Sequence, residues 1–124
     1  MNRSELLKLH DSLCSRAKAI MVAKNHDYAG ESGDSPFANF EAVQHLGIID
    51  RKQGLLIRML DKYQRLKTYC DSGKLMVVGE SFEDAVLDLI NYEILFTGMA
   101  MEDAAETELD CPAGDYKLGD ADAK

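Results

Sequence analysis

Three stretches of the chain repeat their apolar residues every three to four positions, the spacing of a helix that buries one face. The first comprises Leu6, Leu7, Leu9, Leu13, Cys14, Ala17, Ile20 and Met21. With Ser4 as N-cap it predicts a helix to about Lys24, with Cys14 as a small core residue. The second, Leu55, Leu56, Met59, Leu60, Tyr63 and Leu66, predicts a helix from near Asp50 to about Tyr69, broken by Asp71-Ser-Gly-Lys74. The third opens at Ser81, which has capping-box spacing to Asp84, and runs to Met101 or slightly beyond. Phe37, Phe40, Val43 and Leu46 predict a short helix that stops at Gly47. Residues 25–36 are rich in turn formers and almost free of aliphatics, so they read as a long loop. Leu75-Met-Val-Val78 reads as an irregular connector, with a single strand as the alternative. The expected fold is all-α, a helical bundle of three long helices plus a short one.

At 124 residues the chain is one domain's worth. Acids outnumber bases 22 to 14, which argues against binding a nucleic-acid duplex through its backbone. Free nucleotides remain open, since they need only one small basic pocket. Eight of those 22 acids fall in residues 102–124, beside two lysines and few apolar residues. Residues 1–101 are therefore expected to form the helical domain, and 102–124 an acidic, flexible, solvated tail. Cys14, Cys70 and Cys111 are odd in number and lack C-x-x-C spacing. The first residues contain no apolar signal core, and the longest uncharged run, Ile94 to Met101, is too short to span a bilayer. The expectation is a cytoplasmic protein with reduced thiols, in a bacterium or in the host cell if phage-encoded, without membrane contact.

The third helix carries the main chemical signal. Residues 85–101 are apolar on nearly every face, yet Asp88 and Asn91 interrupt them. At ~100° per residue, Glu80, Asp84, Asp88 and Asn91 share one narrow stripe that continues to Leu95 and Gly98. Three carboxylates on a helix expected to be central repel one another unless a cation sits among them. Mg²⁺ answers that need, because it takes oxygen ligands from carboxylates and phosphates. A solvated helix N-terminus is the alternative; it accounts for Glu80 and Asp84 better than for Asp88. On the second helix Gly54, Arg58, Asp61, Lys62 and Arg65 form a mostly cationic stripe, which by itself reads equally as a solvent face. Paired across a cleft, the two stripes would hold Mg²⁺ on one side and oxyanions on the other. Lys24, Asp27, Tyr28, Asn39 and Phe40 add groups able to stack a base or read its edge. Phe37 and Phe40 read first as core anchors. No Walker A, G-x-G-x-x-G, G-x-S-x-G or H-E-x-x-H sequence occurs.

Taken in order, Lys24-x-x-Asp27-Tyr28, Asn39-Phe40, Arg58-x-x-Asp61-Lys62-x-x-Arg65 and Glu80-Ser81-x-x-Asp84-x-x-x-Asp88-Leu89-x-x-Tyr92 resemble the phage and bacterial nucleotide-modification-associated domain family. That family is itself similar to the all-α MazG-like nucleoside triphosphate pyrophosphohydrolases. The resemblance spans residues 20–100 and implies a MazG-like bundle, assembled as an oligomer, that uses helix-borne acids to hold Mg²⁺ around nucleotide phosphates. It implies Asp61, Glu80, Asp84 and Asp88 as metal ligands, with Asp61, Asp84 and Asp88 central to catalysis. Lys24, Asp27, Tyr28, Asn39, Arg58, Lys62, Arg65 and Asn91 would bind substrate. The first of the family's two acid pairs is represented here by Asp61 alone, a departure that bears on catalysis more than on binding.

The functional expectation is thus a Mg²⁺-dependent (d)NTP pyrophosphohydrolase-like protein, releasing a monophosphate and pyrophosphate. The alternatives are a nucleotide-sequestering or nucleotide-sensing module without turnover, and a helical regulatory protein without nucleotide chemistry.

Overall fold

The computed structural model describes residues 1–29, 35–74 and 81–107, and of residues 26–29 the backbone alone. Four helices make up this part: α1 (Arg3–Ala29), α2 (Ala38–His45), α3 (Arg51–Ser72) and α4 (Phe82–Thr107). No strand occurs among the described residues, so the chain is all-α as its periodicity predicts. The connector at 75–78 and most of the acidic tail lie outside them.

Local chemistry sets most helix ends. Asp50 caps α3, its carboxylate accepting from the Lys52 N–H at 3.0 Å. Ser81 and Asp84 form the predicted reciprocal box at the start of α4: the Asp84 N–H donates to Ser81 Oγ at 3.3 Å, and the Ser81 N–H donates to Asp84 Oδ2 at 2.9 Å. After α2 and α3 the chain turns at Gly47 and Gly73, with φ of 72° and 73°, the left-handed conformation that costs glycine least.

Both ends of α1 differ from expectation. Asn2, rather than Ser4, caps it: Asn2 Oδ1 accepts from the Glu5 N–H at 2.9 Å and Glu5 Oε2 accepts from the Asn2 N–H at 2.8 Å. This arrangement satisfies two terminal donors at once. At the other end the helix continues through Asn25 to Ala29, residues assigned to the loop. Extending an existing helix needs no new nucleus, and residues 25–29 contain neither glycine nor proline to stop it.

The core gathers Phe37 and Phe40 around α2, Leu55 and Met59 from α3, and Leu89 and Met99 from α4, with Leu66, Tyr92, Leu95 and Phe96 packed against them. Phe37 lies close against the α4 backbone, so that a Cβ at Gly98 would stand 2.9 Å from its ring. The expected burial of α4 is incomplete, with one sector of the helix left open. Ala85, Leu87, Leu89, Asn91 and Met99 are buried, whereas Ile94 and Met101 are about half exposed. Cys14, expected in the core, is exposed. It borders an open apolar cleft between α1 and α4, formed with Leu13, Ile90, Ile94 and Met101, that no described part of the chain covers. No described helix is long and apolar enough to cross a membrane.

Near the far end of α4, Arg51 ties three helices together. It is 7% exposed, and its guanidinium donates to Glu41 (3.3 Å), Glu102 (3.0 Å), Asp103 (3.0 Å) and the Met99 carbonyl (3.4 Å) while lying over the Phe37 ring. Lys52 also bonds Asp103. Glu102 and Asp103, counted with the tail from charge alone, therefore belong to α4 and hold the bundle closed.

Candidate functional site

α4 presents Asp84, Asp88 and Asn91 toward α1 and α3, and each meets a different partner. Asp84 is held by its cap. The Ser81 N–H, opposed by partial desolvation and aided by the Ser81 hydroxyl, Arg16 and Lys62, keeps its carboxyl below the usual range. Asp88 lies one turn further in, with its side chain 19% exposed, and two lysines clamp it. Lys24 of α1 approaches Oδ1 at 3.3 Å, and Lys62 of α3 approaches Oδ2 at 3.0 Å. Asn91, one turn beyond, is buried and donates from Nδ2 to the Ala17 carbonyl of α1 at 2.9 Å.

A cleft opens above Asp88 and Asn91. Its α1 wall is Met21, Lys24 and Asn25; Ser35, Pro36, Ala38, Asn39 and Phe40 form the side at α2. Arg58 enters from α3, and Tyr92 and Leu95 complete the α4 wall. The Arg58 guanidinium sits 4.8 Å from the centre of the Phe40 ring, and Phe40 meets Tyr92 edge-on at 6.5 Å. The lining is mixed: Met21, Phe40, Tyr92 and Leu95 give it apolar and aromatic surface, and Lys24, Arg58, Asp88 and Asn91 give it charged and polar groups.

No family model matches the chain, and no curated protein or solved structure matches it.

The predicted residues divide accordingly. Lys24, Asn39, Arg58, Asp88 and Asn91 line one cleft, and Lys62 reaches it through Asp88. Asp61 and Arg65 do not line it; they pair with each other one turn apart, at 3.4 Å, and the Asp61 side chain is 57% exposed. Asp27 and Tyr28 fall in the last turns of α1, where only the backbone is described. Glu80 lies outside the described residues. Among those described, no three His, Cys, Asp or Glu side chains are grouped so as to hold a metal. The positive charge beside Asp88 comes from lysines. Asp84 and Asp88 stand one turn apart, but Asp84 Oδ2 accepts from Ser81 and both Asp88 oxygens face lysines, so an ion there would displace those partners.

Sequence reasoning missed Arg51 and the direct pairing of Asp88 with two lysines. Arg51 did leave a signal: Arg51-Lys52 opens α3, where the helix dipole disfavours positive charge, so acidic partners from elsewhere are needed. Lys62 was signalled by the cationic stripe expected to face the acidic one, whereas Lys24, 64 residues from Asp88, left no sign that it would pair with it.

Proposed function

We propose that the cleft binds a nucleoside phosphate, with the phosphates at Lys24, Lys62 and Arg58 and the nucleoside against the aromatic lining. The observation that carries this reading is that Lys24 and Arg58 line one cleft with Phe40, Tyr92 and Leu95, while Lys62 meets the Asp88 of the same cleft. Phosphate oxygens suit ammonium and guanidinium donors, and a planar base suits aromatic walls. Nucleotide binding is tested by thermal unfolding against a panel of common and modified (d)NTPs. A rise in Tm with one or more of them is expected. A Tm unchanged by every nucleotide, in a folded protein, refutes the reading.

Mg²⁺-dependent pyrophosphohydrolysis is the second reading, favoured by Asp84 and Asp88 standing one turn apart with Lys62 near both. Asp88 and Asp84 would hold the ion, with Glu80 and Asp61 as the further acids that the family resemblance implies. A bound ion would supply charge neutralisation at phosphate and a more acidic water. Lys24, Lys62 and Arg58 would orient the phosphates in either case. Under this reading Mg²⁺ raises the Tm, Asp88→Asn removes the rise, and chromatography detects monophosphate; nucleotide binding without product selects the sequestering or sensing module.

The chain is also proposed to self-associate over the uncovered apolar face of α1 and α4. Sedimentation should give a mass above 13.8 kDa that Ile94→Glu returns to monomer.

A further inference from the structure

Asn91 is 6% exposed, and its two amide atoms are treated very differently. Nδ2 is satisfied by the Ala17 carbonyl. That bond fixes which way the amide faces, since a carbonyl can only accept. Oδ1 is then buried with no hydrogen-bond partner, and it is the one such side-chain atom among the described residues. Tying α4 to α1 accounts for the nitrogen but not for the oxygen. An apolar side chain of similar size would fill the space and leave no acceptor unmade.

The place of Asn91 in the fold gives this enclosed oxygen a use once a ligand parts the side chains over it. Asn91 lines the cleft, one turn along α4 from Asp88 and beside Tyr92. Three residues along α4 amount to about 4.5 Å of helix axis from Asp88. A molecule with its phosphate among Lys24, Lys62 and Arg58 would thus carry its sugar or base past Asn91.

We infer that Asn91 Oδ1 is the acceptor for a hydrogen-bond donor on the nucleoside half of the ligand, a sugar hydroxyl or a base N–H, and so selects among nucleoside phosphates. The inference rests on the nucleotide-binding reading above and adds the group that reads the ligand. A cleft built around an unmet acceptor binds a donor-bearing molecule and rejects its donor-less analogue, because the buried oxygen then stays unpaired.

The test combines ligand and protein changes. Calorimetry on the wild-type protein compares the four common 2′-deoxynucleoside 5′-monophosphates and inorganic pyrophosphate. For the nucleotide bound most tightly, it then compares the 3′-deoxy analogue and the analogue with its base N–H groups methylated. One analogue should bind at least about tenfold more weakly than the parent, and which one does so identifies the donor. Asn91→Leu should cause a similar loss for the nucleotide, leave pyrophosphate affinity unchanged, and unfold at the same temperature as wild type or higher. If the nucleotide and both analogues bind alike, the inference falls while the proposed function stands. The same holds if Asn91→Leu lowers the Tm and leaves nucleotide affinity intact. If Mg²⁺ alone raises the Tm and Asn91→Leu abolishes that rise, Oδ1 is a metal ligand and the inference is overturned. Failure of every nucleotide and of pyrophosphate to bind removes the proposed function, and the inference with it.

Discussion

Replacing Arg51 with methionine tests what holds the bundle together. The substitution keeps most of the side chain's bulk over Phe37 while removing the guanidinium that joins Glu41 of α2 to Glu102 and Asp103 of α4. Breaking a fully buried ion pair by deleting one partner costs about 3–5 kcal/mol, because the other charge is stranded. Here the guanidinium is buried, but the acids are not stranded to that degree. Their side chains are 26%, 53% and 34% exposed, and Lys52 still holds Asp103. Water and Lys52 recover part of the loss, so the expected destabilisation is about 2–3 kcal/mol. Urea unfolding followed by circular dichroism should show a lower midpoint at unchanged slope. Arg51→Lys keeps the charge but cannot span three acids and a carbonyl, so it should fall between methionine and wild type. A loss below about 0.5 kcal/mol for Arg51→Met, the scale of an ordinary surface change, would refute the argument that this residue closes the bundle.

Acid should weaken the protein through Asp103 and Asp84. Asp103 is held below the usual carboxylate range by its bond from Lys52 first, against desolvation and with help from Arg51; Asp84 is held below it by Ser81. A depressed folded-state pKa contributes stability that is present above the unfolded value of about 3.9 and lost as pH falls through the folded value. Thermal melts at decreasing pH should therefore drop steeply only below about pH 4, and Asp103→Asn should flatten that limb. Gly73→Ala forces a β-carbon into φ of 73° and should cost about 1 kcal/mol by urea titration, with α3 otherwise unchanged. Arg58→Ala should weaken nucleotide binding about tenfold in calorimetry while shifting the Tm little, because Arg58 is exposed and contributes mainly its contact over Phe40.

What the sequence revealed was mostly local. Asp50 before α3, Ser81 with Asp84 before α4, and Gly47 and Gly73 after their helices act within a few residues, so their spacing states their role. The apolar period named Leu55 and Met59 correctly but could not separate a face buried in the chain from one left open. Cys14 shows the difference: it shares an apolar stripe with Ala17, yet Ala17 lies under α4 and Cys14 borders the uncovered cleft. Periodicity marks a surface that prefers cover without saying what supplies it. The end of α1 misled for another reason. Asn25, His26 and Asp27 favour turns when nothing precedes them, but here they extend a helix that has already formed.

The acidic stripe of α4 was legible as a question rather than as an answer. Carboxylates on a partly buried helix call for positive charge, and composition alone cannot say whether a metal ion or a distant side chain provides it. At Asp88 two lysines provide it, one from α1 and one from α3. That choice alters the electrostatics of the cleft. Lys24, Lys62 and Arg58 set against Asp88 leave the group positive on balance, so a phosphate can be drawn in without a metal ion. A Mg²⁺ ion joining Asp88 would compete with the lysines for the same two oxygens. On the proposed reading, nucleotide affinity should then persist in EDTA even if turnover requires the ion. Dependence of binding itself on Mg²⁺ would mean that the lysine clamp opens when ligand arrives.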